Sequence, residues 1–408
     1  MPILFLGVCA YLVALPFLFH NHAANALVVL TAGFVLLPRN PEDGPDPGWG
    51  FLVRLWPLAA SLLLALARAP DIVVASAVLT FMLPGLVILS IMMRNPGWPL
   101  SYWLFAFTLF SATISADVIG GWVILQHSNA NAAMRSIVEA PLMHAGNQLL
   151  LVPNDICVTA VLLGCQFTLL ADRTQNRLVR CIALLTIVLA GIAMAILRTR
   201  TGMLVALAEV AVASLVWPRA LLLVPPAALL LAAADYGLGL HMIDKVLFSN
   251  NIDNHGVAGR MGLWVSAWTM FTSAPLFGHG AQAFGIEHGD LLPAWSPRFP
   301  EKSTMWAHNL YLETLADQGV VGLAALTLIF YTPLRNLCVL LVQGLRKGYT
   351  NHESVFSLAG LVGFLVAAGF ELSFIRRWVP LVMFGLIGLA WRITRRPAAM
   401  AESPVLQV

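Results

Sequence analysis

The chain has 408 residues, of which 59% are hydrophobic and only 11% charged, where soluble domains carry about 25% charged residues. With a mean hydropathy of +0.82 and a formal net charge of just +3, this excludes a disordered chain, an ordinary water-soluble enzyme and a nucleic-acid-binding protein. Most of this surface must face lipid.

A membrane-spanning helix needs about 20 mostly apolar residues. Twelve stretches qualify in chain order: roughly 2–19, 23–37, 51–68, 72–92, 100–121, 150–171, 181–197, 201–217, 219–235, 318–341, 355–373 and 378–392. The first has no basic leader and no small-residue cleavage site, so it reads as a retained span and not a signal peptide. Barrel strands alternate in polarity and these runs do not. The expectation is an all-α polytopic membrane protein of about 12 transmembrane helices, one transmembrane domain over 1–408. Cys9, Cys157, Cys165, Cys181 and Cys338 all sit in apolar runs without a close pair, which argues against a zinc site or a disulfide framework.

Basic residues favour cytoplasmic loops. With both termini in the cytoplasm, Arg39, Arg94, Arg173, Arg177, Arg180, Arg219, Arg346, Lys347, Arg392, Arg395 and Arg396 face inward. Arg68, Arg135, Arg198, Arg200, Arg376 and Arg377 face outward. Arg173–Arg180 and Arg392–Arg396 read as anchors beside anionic lipid. Two outer loops are long, 122–149 and 236–317. The second is a periplasmic loop region with interfacial helices: Met261, Leu263, Trp264, Val265, Trp268 and Met270 mark an apolar segment with Trp at headgroup depth.

The chemistry should lie where charge stands against the topology. Arg198 and Arg200 sit at the outer face between two spans, with snorkelling to headgroups as the bland alternative. Arg260 opens the interfacial helix and could serve a lipid phosphate or simply anchor there. His308 precedes the tenth span on the same face, and a histidine can take a proton near neutral pH. Asp117, Asp155, Glu209, Asp235 and Glu371 fall near span ends and read as interfacial. His20/His22 and His279/His288 have no carboxylate set suited to a metal. No Gly-x-Ser-x-Gly elbow and no Walker loop is present. Several arginines and one base beside the bilayer, away from ATP, suit a lipid phosphate or diphosphate. Guanidinium forks match phosphate oxygens and would hold the charge of a departing diphosphate.

Four stretches carry a resemblance. They are Pro153-Asn154-Asp155; Thr199-Arg200-Thr201-Gly202; Arg260-Met261-Gly262-Leu263-Trp264 through Pro275-Leu276-Phe277-Gly278-His279-Gly280; and His308-Asn309-Leu310-Tyr311-Leu312 with Gly319-Val320-Val321-Gly322. In order and spacing, from about 150 to 325, they resemble the O-antigen ligase and polymerase superfamily of bacterial inner-membrane glycosyltransferases. Thr199 stands where that family often has Ser, and Asp317-Gln318 replaces a frequent Glu-hydrophobic pair, which weakens any role for Asp317.

The resemblance implies a glycosyltransferase C-type membrane enzyme in the Gram-negative inner membrane with its active site in the periplasm. It implies transfer of a glycan from undecaprenyl diphosphate with inversion, without a metal or cofactor. Span layout, length and the single moderate outer loop favour the ligase, with a lipid A–core acceptor, among membrane lipids and with no nucleic acid. His308 would be the catalytic base, and Arg200 and Arg260 would bind the diphosphate with Arg198 as a weaker third. Arg68 is a candidate from its position alone. The alternatives are an O-antigen polymerase or a pilin-type protein O-oligosaccharyltransferase of the same superfamily, and, from another class, a secondary transporter. A transporter would need two matching halves with broken helices at the midplane, and neither is visible.

Overall fold

The computed structural model describes residues 7–12, 55–94, 98–127, 153–197, 199–216, 218–223, 257–296, 306–347, 351–376 and 378–395, with isolated helical positions between 225 and 237. Among the described residues all regular structure is helical. The first helices are α1 (Trp56–Ala67), α2 (Ile72–Arg94) and α3 (Leu100–His127). A 3-10 turn at Pro153–Ile156 leads into α4 (Cys157–Val161) and α5 (Leu163–Ala171), followed by α6 (Arg177–Ile196) and α7 (Arg200–Val216). Next come α8 (Val257–Ser273), the short α9 (Ala283–Glu287), α10 (Leu310–Arg346), α11 (His352–Phe370) and α12 (Trp378–Thr394).

Five helices, α2, α3, α6, α10 and α11, are long and apolar enough to cross a membrane, while α1, α4–α5 and α12 are shorter apolar helices. The chain is therefore a helical membrane protein. The expected span at 23–37 falls wholly outside the described residues, as do 2–6 and 13–19 of the first span, part of 219–235 and the side chains of Arg39, Arg135, Arg198, Arg219, Arg377 and Arg396.

The centre of the molecule is α12. Every residue from Trp378 to Ile393 is buried, as expected of a helix that is apolar on all sides. It packs against α2, α10 and α11, while α7 and α5 pack on α11 and α6 on α3. Close approach relies on small residues, as in lipid generally. A methyl group at Gly164 would lie 2.4 Å from the Phe356 carbonyl oxygen, so α5 and α11 meet backbone to backbone there. Arg392 does not anchor to lipid as expected. It is 8% exposed, and its guanidinium donates to the carbonyls of Met92 and Trp98. It thereby satisfies one carbonyl at the end of α2 and one just before α3 that hydrocarbon could not.

The tenth span differs from its expected start at 318. The helix begins at Leu310 and breaks at Gly319, whose φ is 65°. The break is filled by a distant turn. Val320 N–H donates to the Pro275 carbonyl at 2.9 Å and Val321 N–H to Leu276 at 3.3 Å. In return, His279 N–H donates to Ala316 at 3.0 Å and Gly280 N–H to Asp317 at 2.9 Å. Four backbone bonds thus replace those the kink removes, which explains why Pro275–Gly280 and Gly319 occur together. Two of the three glycines at this latch face each other's segments: a Cβ on Gly278 would sit 2.3 Å from the Asp317 backbone, and one on Gly319 2.4 Å from Leu276. The latch fixes where the first segment of α10, and so His308, sits.

Candidate active site

His308 occupies a left-handed backbone conformation, φ 50°, which a non-glycine residue adopts only when its surroundings enforce it. They do so on both sides. Ahead of it, Ala307 is clamped: Trp264 Nε1–H donates to its carbonyl at 2.9 Å, and its N–H donates to Glu313 at 3.1 Å. Behind it, Asn309 caps α10, its Oδ1 accepting from Tyr311 N–H at 3.0 Å and Leu312 N–H at 3.1 Å. An Asn cap satisfies the orphan amides of a helix start, so His308 is carried on a capped helix end.

The His308 ring faces Glu371, which follows the last residue of α11. Nδ1 lies 2.9 Å from Glu371 Oε1. The other oxygen, Oε2, accepts from Arg260 Nη2 at 2.6 Å, while Arg260 Nη1 donates to the Phe370 carbonyl at 3.1 Å. The Glu371 side chain is wholly buried, His308 is 15% exposed and Arg260 24%. One carboxylate therefore joins two residues that the motifs singled out separately, and Arg260 keeps further donors towards solvent.

Trp306 Nε1 also lies 3.2 Å from His308 Nδ1. A single ring nitrogen cannot accept from Trp306 and donate to Glu371 together. The shorter, charge-assisted bond to a buried carboxylate wins. Nδ1 then carries the proton, and the tilted rings of Trp306 and His308, with centroids 5.0 Å apart, are a packing contact. Nε2 keeps its lone pair and has no partner among the described residues.

Electrostatics agree. Burial lowers the proton affinity of His308 below the usual histidine range; Glu371 pulls it up, and Arg260 and Arg376 press it down. Burial pushes the Glu371 carboxyl up, but His308, Arg260 and Arg376 outweigh it and hold it below the usual carboxylate range. The resting pair is a neutral imidazole beside a carboxylate, which is the form a base requires.

A second ion pair supports the first. Arg376 donates to Asp155, and both side chains are fully buried. The Arg376 guanidinium lies over the Trp306 ring at 3.6 Å, so the strut runs from the turn before α4 through Trp306 to His308. Glu313, which holds Ala307, is bonded in turn by Ser373 Oγ–H. Glu371, Arg376 and Ser373 all come from the short segment between α11 and α12.

The other expected residues fall as follows. Arg200 is exposed at the first position of α7, which packs along α11, the helix that ends beside Glu371. Thr199 places it there: its Oγ1 accepts from Gly202 N–H at 3.1 Å, an N-cap that explains the Thr-Arg-x-Gly spacing. Arg198 lies outside the described residues. Arg68 donates to the Gly278 carbonyl at 3.0 Å and so braces the latch. Asp317 accepts from the backbone N–H groups of Gln282 and Phe284, a structural duty. A small cleft between α1, α2 and the first segment of α10 is lined by Leu62, Leu79, Met82, Glu313, Asp317 and Phe374, and its two carboxylates are already engaged as described.

Sequence reasoning missed Glu371, Asp155 and Arg376 as members of the site. It grouped Glu371 and Asp155 with interfacial acids and counted Arg376 among outer-loop basic residues. A carboxylate immediately after an apolar span was the signal available for Glu371.

Residues 185–327 match the family model described as O-antigen ligase, a stretch that holds Arg200, Arg260 and His308. A curated protein of Haemophilus influenzae, described as uncharacterized, is 32% identical over 88 residues. That match covers 21% of this chain and 21% of the relative, so the chain spans about a fifth of the length of the curated relative it matches.

Proposed function

We propose that this chain, whose residues 185–327 match the O-antigen ligase family model, joins O-antigen glycan to lipid A–core oligosaccharide. The donor is undecaprenyl-diphosphate-linked glycan, and the reaction takes place at the periplasmic face of the inner membrane. The observation that supports this best is the meeting of His308 and Arg260, 2.9 and 2.6 Å from the two oxygens of one buried carboxylate.

In this reading an acceptor hydroxyl attacks the anomeric carbon of the donor sugar from the face opposite the diphosphate. The new C–O bond forms as the bond to the diphosphate oxygen breaks, and the electron pair leaves with that oxygen. His308 Nε2 takes the hydroxyl proton, a role worth about 10²–10⁴-fold. Arg260 and Arg200 hold the charge that grows on the leaving diphosphate, with Arg198 as a weaker third. Losing one such contact costs on the order of 3 kcal/mol, about 100-fold in rate. The activated lipid-diphosphate linkage supplies the driving force.

The purified protein incubated with lipid-linked donor and lipid A–core tests the proposal. Glycan on lipid A–core is the expected product. Longer lipid-linked glycan would make the protein a polymerase, and glycan on Ser or Thr of an added pilin a protein glycosyltransferase. Solute movement in proteoliposomes without a covalent product would point to transport. Full activity in His308→Ala would rule out the base.

A further inference from the structure

We infer that Glu371 is a positioning residue that couples donor binding to base strength, because its one carboxylate holds His308 on one oxygen and Arg260 on the other. The inference rests on the transfer reaction proposed above and deepens it: Arg260 would receive the diphosphate, and His308 the acceptor's proton.

Two consequences follow from the geometry. The first concerns the tautomer. The carboxylate 2.9 Å from Nδ1 requires a proton on that nitrogen, so Nε2 is the basic atom at rest. The second concerns charge. Glu371 is fully buried, and Arg260 sits 2.6 Å from its second oxygen, so the carboxylate's negative charge is shared between a cation and the imidazole. When a diphosphate pairs with the exposed side of Arg260, that cation withdraws less from Glu371. The carboxylate then supports an imidazolium at His308 more strongly, and the arriving anion adds to the effect. The base is weak while the site holds no leaving group and strong once one is in place. Such an arrangement limits idle proton uptake and favours attack only on a bound donor.

The charged groups around His308 are accounted for. Glu371 follows α11, Arg260 is on α8, and Arg376 precedes α12 and is balanced by Asp155 from the turn before α4. Glu313 on α10 is occupied by Ser373 and Ala307. Arg260 and Glu371 are the partners that a diphosphate at Arg260 reaches first.

The experiment is ¹⁵N NMR of the full-length protein in nanodiscs with ¹⁵N-histidine, the His308 signals being assigned by their loss in His308→Gln. Wild type is expected to carry its proton on Nδ1. Its titration midpoint is expected to rise by about one pH unit when undecaprenyl diphosphate is added. A proton on Nε2, or a midpoint that stays or falls with the ligand present, overturns the inference without any variant. Kinetics add a second readout. Glu371→Gln is expected to lower kcat about 10–100-fold and to move the acid limb of the rate profile to lower pH, because the carboxylate that favours the imidazolium is gone. Glu371→Asp should recover part of the rate. Wild-type rate and pH profile in Glu371→Gln, beside an inactive His308→Ala, would sink the coupling while leaving the reaction intact. No transfer to any acceptor, with the NMR result as expected, would instead remove the reaction and keep the carboxylate bridge.

Discussion

His308 is held in a strained backbone conformation by Trp264, Glu313 and Asn309, and its ring is buried beside a carboxylate. Burial lowers its proton affinity, so its neutral form persists below the usual histidine value of about 6.5. A depressed histidine contributes stability that is fully present above its unfolded value and lost as pH falls from there through its folded value, whereas activity is lost as pH falls through the folded value. The kcat/KM for donor, which reports the groups of the free enzyme, is therefore expected to hold steady from neutral pH to below about 6.5, and a fall already above that value would contradict the assignment. Arg260→Lys is expected to lower the rate nearly as far as Arg260→Ala, about 100-fold, because an ammonium cannot serve Phe370, Glu371 and a phosphate from one planar fork. Measured kcat values of the two variants decide this. Arg376→Ala would remove one partner of a fully buried ion pair with Asp155, at a cost of about 3–5 kcal/mol. Adding Asp155→Ala should recover much of that in a double-mutant cycle read by thermal unfolding.

Single residues hold these positions only because the elements beneath them are locked. The kink at Gly319 and the turn at Pro275–Gly280 exchange four backbone hydrogen bonds, and the positive φ at Gly278 and Gly319 leaves no room for a side chain. Gly319→Ala combines a backbone conformation costing about 1–3 kcal/mol with a clash on Leu276. It should lower the melting temperature and, by shifting the start of α10, reduce transfer more than the stability loss accounts for. Unchanged activity in a folded Gly319→Ala protein would show that the latch does not position His308. The sequence motif marked these glycines but could not say what they touched, since Gly278 rests on Asp317 and Gly319 on Leu276 from outside their own segments. For the same reason the tenth span looked like one apolar run from 318: the capped turn at Leu310–Gln318 belongs to the same helix only because the latch bridges its break.

At the scale of the whole molecule, apolar surface divides between core and lipid. On α8, Leu263, Ala267 and Met270 are buried, while Met261, Val265 and Trp268 are exposed on the opposite side. Spacings of four and three residues put those three on one stripe. The segment expected to lie in the interface thus has two apolar faces, one packed on α10 and one free to meet the bilayer. A nitroxide at Met261→Cys or Trp268→Cys should be relaxed by oxygen dissolved in lipid more than by an aqueous nickel chelate. The reverse would move α8 out of the membrane surface.

Residue chemistry and composition alone pointed to a membrane protein and singled out His308 and Arg260, which the structure brings onto one carboxylate. A chain with 11% charge must live in lipid, and an arginine or histidine that remains in such a chain stands out at its own position. Acids at the ends of spans do not stand out, because an isolated carboxylate there is as well explained by water as by function. What Glu371 does depends on His308 at a separation of 63 residues and Arg260 at 111, and Asp155 meets Arg376 across 221. Those partnerships are set by how the helix ends pack, which no local pattern encodes, and only the folded bundle could reveal them.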